Sequence, residues 1–198
     1  MPPGAAMLGK EAWYMTTYLD SIMRGTEACS GAWGLDHARR LLALVDRIAD
    51  GRSYDTELIR IAAYIHDWGA YAPHAIRGVD HAERSAALVR DADLVGIDPQ
   101  VRERVAYVVG RHHTAQAGDP WEAVLLADAD AIDMVGAVGV ARAFSSSPKD
   151  LPGGLATLRR RLDAVRARLI LEQSRRIAEP RMAIVDRFLA DYELEVGA

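Results

Sequence analysis

The sequence predicts an all-α protein, and three observations support this fold class. Apolar residues recur every three or four positions through most of the 198-residue chain, which is the period of an α-helix. Asp-Pro and Gly steps divide these stretches where helices are expected to begin and end. No stretch alternates apolar and polar residues long enough to predict a strand, and no repeat of about 20–50 residues is present. We predict one domain over residues 1–198.

The first two predicted helices cover residues 35–51 and 55–69. The apolar stripe of the first consists of Leu41, Leu44, Val45 and Ile48. The apolar stripe of the second consists of Leu58, Ile61, Ala62 and Ile65. Gly51 is expected to provide the C-cap of the first helix, because glycine readily adopts the left-handed conformation found there. Asp55 is expected to provide the N-cap of the second.

Three further helices are predicted in the middle of the chain, over 79–96, 101–113 and 121–137. Asp98 followed by Pro99 is typical of an N-cap with proline at the first helical position. Asp119 and Pro120 repeat this arrangement before the next helix. Glu122 follows where a capping box has its acidic residue, so Asp119 is predicted to be the N-cap.

The C-terminal part of the chain is predicted to contain one loop and two amphipathic helices. Ser, Pro and Gly cluster over 144–154, which indicates the loop. Pro180 is expected to separate the two helices, since proline disrupts a helix interior. We expect a domain core over 30–145, with the C-terminal helices at 153–195 packed on it. Their amphipathic faces leave room for a homodimer.

The composition is typical of a water-soluble globular protein. Half of the residues are apolar, 26% are charged, and the net charge is −4. No concentrated basic face is evident, so a nucleic-acid polymer is not an expected partner. Nearly all positive charge comes from arginine, a global bias that we attribute to genomic base composition. The run Arg159-Arg160-Arg161 is accordingly interpreted as a solvated helix face.

Cysteine content and hydropathy predict a cytoplasmic protein. Cys29 is the only cysteine, so the chain cannot form an internal disulfide framework. The N-terminal residues lack the basic and apolar regions of a convincing signal peptide. No apolar run is long enough to cross a bilayer, so no membrane association is expected.

Four predicted helices carry an imidazole or a carboxylate on their apolar sides: His37, His66, His113 and Asp130. A single buried histidine is more often a hydrogen-bonded core residue than a ligand. Several such groups on separate helices need mutual satisfaction, and a divalent cation would satisfy them together. A His/Asp donor set without cysteine suits Mn²⁺, Fe²⁺, Zn²⁺, Ni²⁺ or Co²⁺ and tolerates Mg²⁺.

The adjacent pair His66-Asp67 has a geometric consequence. Consecutive side chains of a regular helix diverge by about 100°. The two residues can therefore bind one ion only where their helix is ending. The following Trp68-Gly69 is consistent with such an end.

The order His37, then His66-Asp67, then Asp130, with all four on helices, resembles the HD-domain superfamily of metal-dependent phosphohydrolases. The similarity extends beyond these residues. The segments LADADAIDMVGAVGVARAF (126–144) and EQSRRIAEPRMAIVDRFLADYELE (172–195) resemble small stand-alone bacterial HD proteins that include nucleotide pyrophosphohydrolases. The resemblance spans roughly residues 30–195 and implies a helical bundle with a metal site between helices.

This resemblance implies that His37, His66, Asp67 and Asp130 are the primary metal ligands. Asp128 competes with Asp130, because periodicity alone favours Asp128 at least as well. The family pattern, alanine–aspartate followed two residues later by an aliphatic residue, fits the segment 129–132 better. We therefore choose Asp130 as the metal ligand. Asp128 is expected to contact the ligands and not the metal itself.

Further candidates are His81, His112 and His113, which occupy positions where some HD proteins bind a second metal ion. A single-metal enzyme would instead use them to bind phosphate or to donate protons, and both alternatives stay open. Many HD enzymes carry a charged residue after the glycine that follows the His-Asp dyad, which is His66-Asp67 in this chain. Here the residue after Gly69 is Ala70. Arg77 or Arg111 is expected to contact phosphate instead. His74 is expected to be exposed.

The resemblance implies hydrolysis of a phosphoester or phosphoanhydride in a small phosphorylated substrate, with a nucleotide as the expected class, and with one or two divalent ions. Asp67 would ligate the ion and orient water, and His81 or His113 would protonate the leaving oxygen. The alternative in another reaction class is a di-iron oxygenase that acts on a small phosphonate or polyol. A non-catalytic HD regulatory domain is the third alternative.

Overall fold

The structure is a computed structural model that describes residues 5–91, 97–146 and 148–196, with side chains described from residue 18 onward. Every regular element in these ranges is helical, so the predicted all-α class is confirmed. The α-helices are α1 (Ala5–Ala49), α2 (Thr56–Ile65), α3 (His81–Asp91), α4 (Pro99–Arg111), α5 (Trp121–Asp133), α6 (Gly136–Ser145), α7 (Leu151–Arg168) and α8 (Glu172–Val196). None of the helices within the described ranges has the length and apolar character needed to span a membrane.

The chain divides into two compact units. The first comprises the residues up to Leu42 together with Tyr54–His112. The second comprises Ala43–Ser53 together with His113–Ala198. The prediction of a single domain over 1–198 stays a prediction.

Helix α1 is interrupted at Gly31, where φ is 66° and ψ is −163°. A positive φ is strained for residues with a Cβ, so glycine is the residue suited to this break. The predicted helix over 35–51 therefore forms the second part of a longer element. Beyond its last residue, Gly51 has a φ of 82°, in agreement with the predicted C-terminal role.

The first unit is built from α2, α3 and α4 with the first 42 residues of the chain. Helix α4 packs against both α2 and α3. The predicted N-caps are confirmed: Leu58 N–H donates to the Asp55 carboxylate at 3.0 Å, and Gln100 N–H donates to the Asp98 carboxylate at 2.8 Å. Side chains with almost no exposure form the core, including Ile22, Leu41, Leu58, Ile59, Ile61, Ile65, Val105 and Val109. Each burial of this size stabilises the fold by about 1.5–3 kcal/mol.

The second unit has α5 as its most buried helix, with every residue from Ala123 to Asp133 buried. Helices α7 and α8 both pack against α5 and against α6. An edge-to-face contact between Phe144 and Phe188, with ring centroids 5.7 Å apart, joins α6 to α8. A helix buried on all sides explains why α5 is apolar almost throughout.

Two predicted boundaries in the C-terminal part are wrong. Helix α7 begins at Leu151, inside the predicted loop, because Gly153 N–H donates to the Asp150 carboxylate at 2.9 Å and caps the helix. The break between the last two helices lies at 169–171, and exposed Pro180 lies inside α8. The amide groups of Ile170 and Leu171 donate to the Asp128 carboxylate at 3.0 and 2.9 Å, which stabilises the break away from the proline.

Two other boundaries also differ from the prediction. Helix α5 has no side-chain N-cap, so the capping box predicted at Asp119 is wrong. The Asp119 carboxylate instead accepts from the backbone N–H of Gln116 in the preceding loop at 2.8 Å. Helix α3 begins at His81, and the Asp80 carboxylate accepts from Ala82 N–H at 2.9 Å. The end of the predicted helix, 92–96, lies outside the described residues.

Candidate metal centre

The candidate metal centre begins at the C-terminus of α2. The helix ends at Ile65, and His66 is its C-cap, with its backbone N–H donating to Ala62. Asp67 has φ −100° and ψ 2°, and a short 3-10 helix follows at Trp68–Ala70. The predicted helix end at this dyad is confirmed. The change of backbone direction lets two adjacent side chains converge, with His66 Nε2 3.4 Å from Asp67 Oδ2.

Two pairs of histidines in the first unit face one another through their Nε2 atoms. His37 Nε2 lies 3.2 Å from His66 Nε2. His81 Nε2 lies 3.1 Å from His112 Nε2. The two central rings, His66 and His112, are 4.9 Å apart at an angle of 76°. The four imidazoles thus form a continuous group contributed by α1, α3 and the C-caps of α2 and α4.

The Asp67 carboxylate lies between the two pairs and directs one oxygen to each. Its Oδ2 is 3.4 Å from His66 Nε2 and 3.9 Å from His37 Nε2. Its Oδ1 is 3.5 Å from His81 Nε2 and 3.8 Å from His112 Nε2. One aspartate is therefore placed to serve both histidine pairs. We call these five residues the histidine cluster.

Backbone carbonyl groups determine which ring nitrogen carries hydrogen in the two most buried histidines. His66 Nδ1 donates to Ala63 O at 2.9 Å, and His112 Nδ1 donates to Val109 O at 2.7 Å. A carbonyl oxygen can only accept, so each Nδ1 must carry the hydrogen. In the neutral ring, Nε2 then presents a lone pair to the cluster. The cluster therefore contains more acceptors than donors.

This donor set fits a divalent metal ion. Nitrogen and oxygen ligands about 2.1 Å from one ion are about 3.0–3.4 Å from each other in octahedral or tetrahedral geometry. The two Nε2–Nε2 distances, 3.2 and 3.1 Å, lie in this range. Donor atoms of His66, Asp67 and His112 all lie within 4.8 Å of one another. The histidine cluster is therefore able to hold a divalent cation, and its donors do not select one metal.

Burial differs across the histidine cluster. His37, His66 and His112 are almost fully buried, at 1–2% exposure. The side chains of His81 and Asp67 are 37% and 24% exposed. Solvent therefore reaches the cluster on the side of these two residues.

Gly69 joins the 3-10 helix to α3. Its backbone N–H donates to the hydroxyl of Ser85, a fully buried α3 residue, at 2.8 Å. A Cβ at position 69 would clash with the carbonyl oxygen of His81 and with the Ser85 backbone. Glycine is needed here for close approach, which brings Asp67 near His81.

Trp68, directly after the dyad, is held on both sides. Its indole N–H donates to Thr26 Oγ1 at 3.0 Å, and the Thr26 hydroxyl donates to Tyr64 O at 2.8 Å. Its ring stacks on His74, with centroids 6.0 Å apart and planes inclined by 11°. His74 is therefore half-buried, and its predicted exposure is wrong because the loop folds back over the indole.

The remaining candidates lie at the end of α4 and in the loop before α3. Helix α4 ends at Arg111, so extrapolating its apolar stripe from Val109 to His113 fails. His112 is the fully buried histidine of the pair, and His113 is half-buried. Arg111 is half-buried, whereas Arg77 is exposed in the loop before α3.

Asp128 and Asp130 lie in the second unit and have different partners. Both oxygens of Asp128 accept backbone amides at the start of α8, as described above. Asp130 is 3% exposed, and Arg168 Nη2 lies 3.4 Å from its Oδ2. The structure therefore gives Asp128 a clear structural role. The assignment of Asp130 as a metal ligand stays a prediction.

Sequence reasoning missed a group of arginines near Asp130. Arg142 Nη1 donates to the Asp133 carboxylate at 2.7 Å, and Arg168 contacts Asp130. Arg161, interpreted from the sequence as part of a solvated face, is half-buried, so that interpretation is wrong for this residue. Its position three residues after buried Leu158 was the available signal.

The histidine cluster lies in the part of the chain that matches a known family. The model of the HD-domain family matches residues 34–135, about half of the chain. The matched interval contains all five members of the histidine cluster and Asp130. Among curated protein sequences, none matches the chain significantly.

Several crystal structures share the fold. A "predicted HD superfamily hydrolase" from an uncultured Thermotogales bacterium is 24% identical, with a TM-score of 0.58 and coverage of 91% of this chain and 90% of that one. YpgQ of Bacillus subtilis, in complex with ADP, is 21% identical, with a TM-score of 0.66 and coverage of 93% and 96%. An HD-superfamily hydrolase from Bacillus thuringiensis is 16% identical, with a TM-score of 0.64 and coverage of 95% and 99%. At these identities the likeness establishes a common fold.

Proposed function

The chain belongs to the HD-domain family, and from this membership we propose that it is a metal-dependent phosphohydrolase. It cleaves a phosphoester or phosphoanhydride bond in a small phosphorylated molecule. The observation that carries the proposal is the arrangement of two histidine pairs about the Asp67 carboxylate. Converging imidazole nitrogens and a carboxylate are the donors that hydrolytic metal sites use.

The histidine cluster would bind two divalent ions in this proposal. His37, His66 and Asp67 would hold one ion, and His81, His112 and Asp67 would hold the other. The separate distances from the two Asp67 oxygens to the two pairs support this division. By family resemblance, Asp130 is a further ligand of the first ion. The absence of thiolate donors from this set favours Mn²⁺, Mg²⁺, Fe²⁺, Co²⁺ or Ni²⁺, with Zn²⁺ also accepted.

Metal ions at such sites supply Lewis acidity for a phosphoryl oxygen and a nucleophile derived from water. The protein residues orient the water for attack. Asp67 has carboxylate lone pairs that accept a hydrogen bond from the attacking water, and its partial exposure supports access for that water. The buried rings of His37, His66 and His112 exclude bulk water from the opposite side.

His81 acts as a ligand in this proposal, because its Nε2 lies near both His112 Nε2 and Asp67 Oδ1. A ring nitrogen that binds a metal cannot also deliver a proton. The acid that protonates the leaving oxygen is then His113, the other of the two candidates that the sequence offered. Its half-buried imidazole is a suitable residue type near neutral pH.

The substrate class in this proposal is a nucleotide. The C-terminal segments resemble HD proteins that include nucleotide pyrophosphohydrolases. YpgQ, which shares the fold over nearly the whole chain, is crystallised with ADP. Both points support a phosphoanhydride substrate with a nucleoside group.

A second candidate function follows from the same observation. Four histidines and a shared carboxylate also suit a di-iron centre that activates O₂ on a small phosphonate or polyol. A purely regulatory domain is less consistent with the donor arrangement, since it does not require five converging metal ligands.

The experiment that tests the proposed function combines metal removal with a substrate screen. Purified protein is stripped with a chelator and reloaded separately with Mn²⁺, Mg²⁺, Fe²⁺, Co²⁺, Ni²⁺ or Zn²⁺. Phosphate and pyrophosphate release are then measured on nucleoside mono-, di- and triphosphates and on dinucleotides. We expect metal-dependent release from at least one nucleotide class. About two irons per chain with O₂ consumption and no phosphate release would instead establish the oxygenase.

A further inference from the structure

Three arginines of the second unit surround two buried carboxylates. Arg142 pairs with Asp133 at 2.7 Å, and Arg168 lies 3.4 Å from Asp130. Arg161, on α7, is close enough to Arg142 and Asp130 for their charges to act on it. We call Arg142, Arg161 and Arg168 the arginine cluster. It carries three positive charges against the two negative charges of Asp130 and Asp133.

Arg161 is the least satisfied member of the arginine cluster. Its Nη1 is buried and has no hydrogen-bond acceptor among the residues that the structure describes. Burial is the main cause that lowers the pKa of its guanidinium, and the neighbouring charge of Arg142 lowers it further. Leaving a buried charged donor without an acceptor is costly, so such a group requires an explanation.

The adjacent arginines of α7 provide a direct contrast. Arg159 is exposed and pairs with Glu193 at 2.7 Å. Arg160 is also exposed, and its guanidinium donates to Thr157 on the same helix at 2.9 Å. Both fit the interpretation of a solvated face. Arg161, in the same run of sequence, is instead half-buried and lies near enough to Asp130 of α5 for that charge to act on it.

We propose that Arg161, together with Arg168, binds a phosphate oxyanion, namely a phosphate group of the substrate that is not itself attacked. This inference rests on the proposed function for the identity of the ligand. The side chain of Arg168 is 28% exposed, so an anion from solvent can reach the cluster. Asp130, which Arg168 contacts, is by family resemblance a metal ligand in the proposed function.

The chemistry of guanidinium favours phosphate as the ligand. Its planar arrangement of N–H donors matches phosphate oxygens in a bidentate manner. An anion would also offset the mutual repulsion of Arg161 and Arg142. The charged residue that many HD enzymes carry after the dyad is replaced by Ala70 in this chain. Arg161 supplies a phosphate contact from another helix.

The test measures binding of inorganic pyrophosphate to the chelator-treated full-length protein by calorimetry. Arg161→Gln removes the guanidinium, Arg161→Lys keeps the charge without the planar donors, and Arg160→Gln is the matched control on the exposed face. We expect Arg161→Gln to weaken binding about tenfold or more, with Arg161→Lys intermediate. Arg160→Gln should stay within about twofold of the original protein. Circular dichroism melting verifies that each variant is folded.

Steady-state kinetics on the metal-loaded protein separate this inference from the proposed function. Arg161→Gln should raise KM for the nucleotide about tenfold or more while metal content is unchanged. Hydrolysis and pyrophosphate binding that are both insensitive to Arg161→Gln would overturn the inference and leave the hydrolase intact. Pyrophosphate binding that depends on Arg161, without hydrolysis of any nucleotide, would retain the anion site and reject the proposed function. If Arg161→Gln does not fold, equal binding by Arg161→Lys and Arg160→Gln would overturn the inference.

Discussion

The histidine cluster and the arginine cluster are opposite in their hydrogen-bonding chemistry. In the histidine cluster, ring nitrogens and carboxylate oxygens converge, and the neutral rings of His66 and His112 present Nε2 lone pairs to the other members. In the arginine cluster, a buried N–H group of Arg161 has no acceptor among the described residues. Folded interiors normally satisfy their polar groups. Lone pairs converge in the first region and N–H donors in the second, which suits the first to a cation and the second to an anion.

The largest effect is expected from Asp67→Asn, because this change removes the carboxylate that serves both histidine pairs. Metal content should fall from about two ions per chain to one or fewer, and kcat/KM should fall about 10³-fold. Elemental analysis and phosphate release measure the two effects. Asp36→Asn is a matched control, since Asp36 is exposed on α1 and pairs only at the surface with Arg39. Unchanged metal content in Asp67→Asn would contradict the cation site.

Single histidine substitutions test whether the cluster holds two separate ions. His66→Ala should remove the ion of the His37 pair, and His81→Ala should remove the ion of the His112 pair. Each variant should retain about one ion and lose about 100-fold in activity. Metal counting on both proteins compares the pairs directly. Loss of all metal from both variants would show a single shared site and reject the division between the pairs.

The two aspartates of α5 should respond differently to the same change. Asp128→Asn weakens the hydrogen bonds to Ile170 and Leu171 and should lower the free energy of unfolding by about 2 kcal/mol, with metal content retained. Asp130→Asn should reduce metal affinity with a smaller loss of stability. Urea unfolding and metal analysis provide the measurements. If Asp128→Asn instead lost the metal and remained stable, the assignments of the two aspartates would be exchanged.

The smallest effect is expected at Thr26, which lies outside both clusters but supports Trp68. Thr26→Val removes the hydroxyl between the indole N–H and the Tyr64 carbonyl, at nearly constant volume. Stability should fall by about 1–3 kcal/mol, since buried polar groups lose their partner. Metal content at saturation should not change. Thermal unfolding detects the loss, and a variant as stable as the original protein would argue against this support.

Local sequence signals were sufficient for part of the structure. The caps at Asp55 and Asp98, and the end of α2 at His66, depend on neighbouring residues and could be predicted. Other features depend on partners distant in sequence. Pro180 suggested a helix break, but the actual break is stabilised by Asp128, about 42 residues away from the amides that it accepts. No periodicity reports such a contact.

The candidate site was predictable to a similar extent. His37 and His66 were identified because each lies on an apolar stripe, and Asp67 was implied by the resemblance to HD proteins. The choice between His112 and His113 depended on α4 ending at Arg111, a boundary that periodicity locates only to within a few residues. Arg161 was missed because it belongs to a run of three arginines whose other members are solvated.

The most direct test of the cation site is electron paramagnetic resonance during titration of the chelator-treated protein with Mn²⁺. A shared Asp67 carboxylate predicts that about two equivalents bind and that the spectrum becomes that of an exchange-coupled pair. The same titration of Asp67→Asn should give only uncoupled ions. A six-line spectrum of isolated Mn²⁺ at saturation, identical in both proteins, would contradict the central claim that Asp67 joins two metal ions.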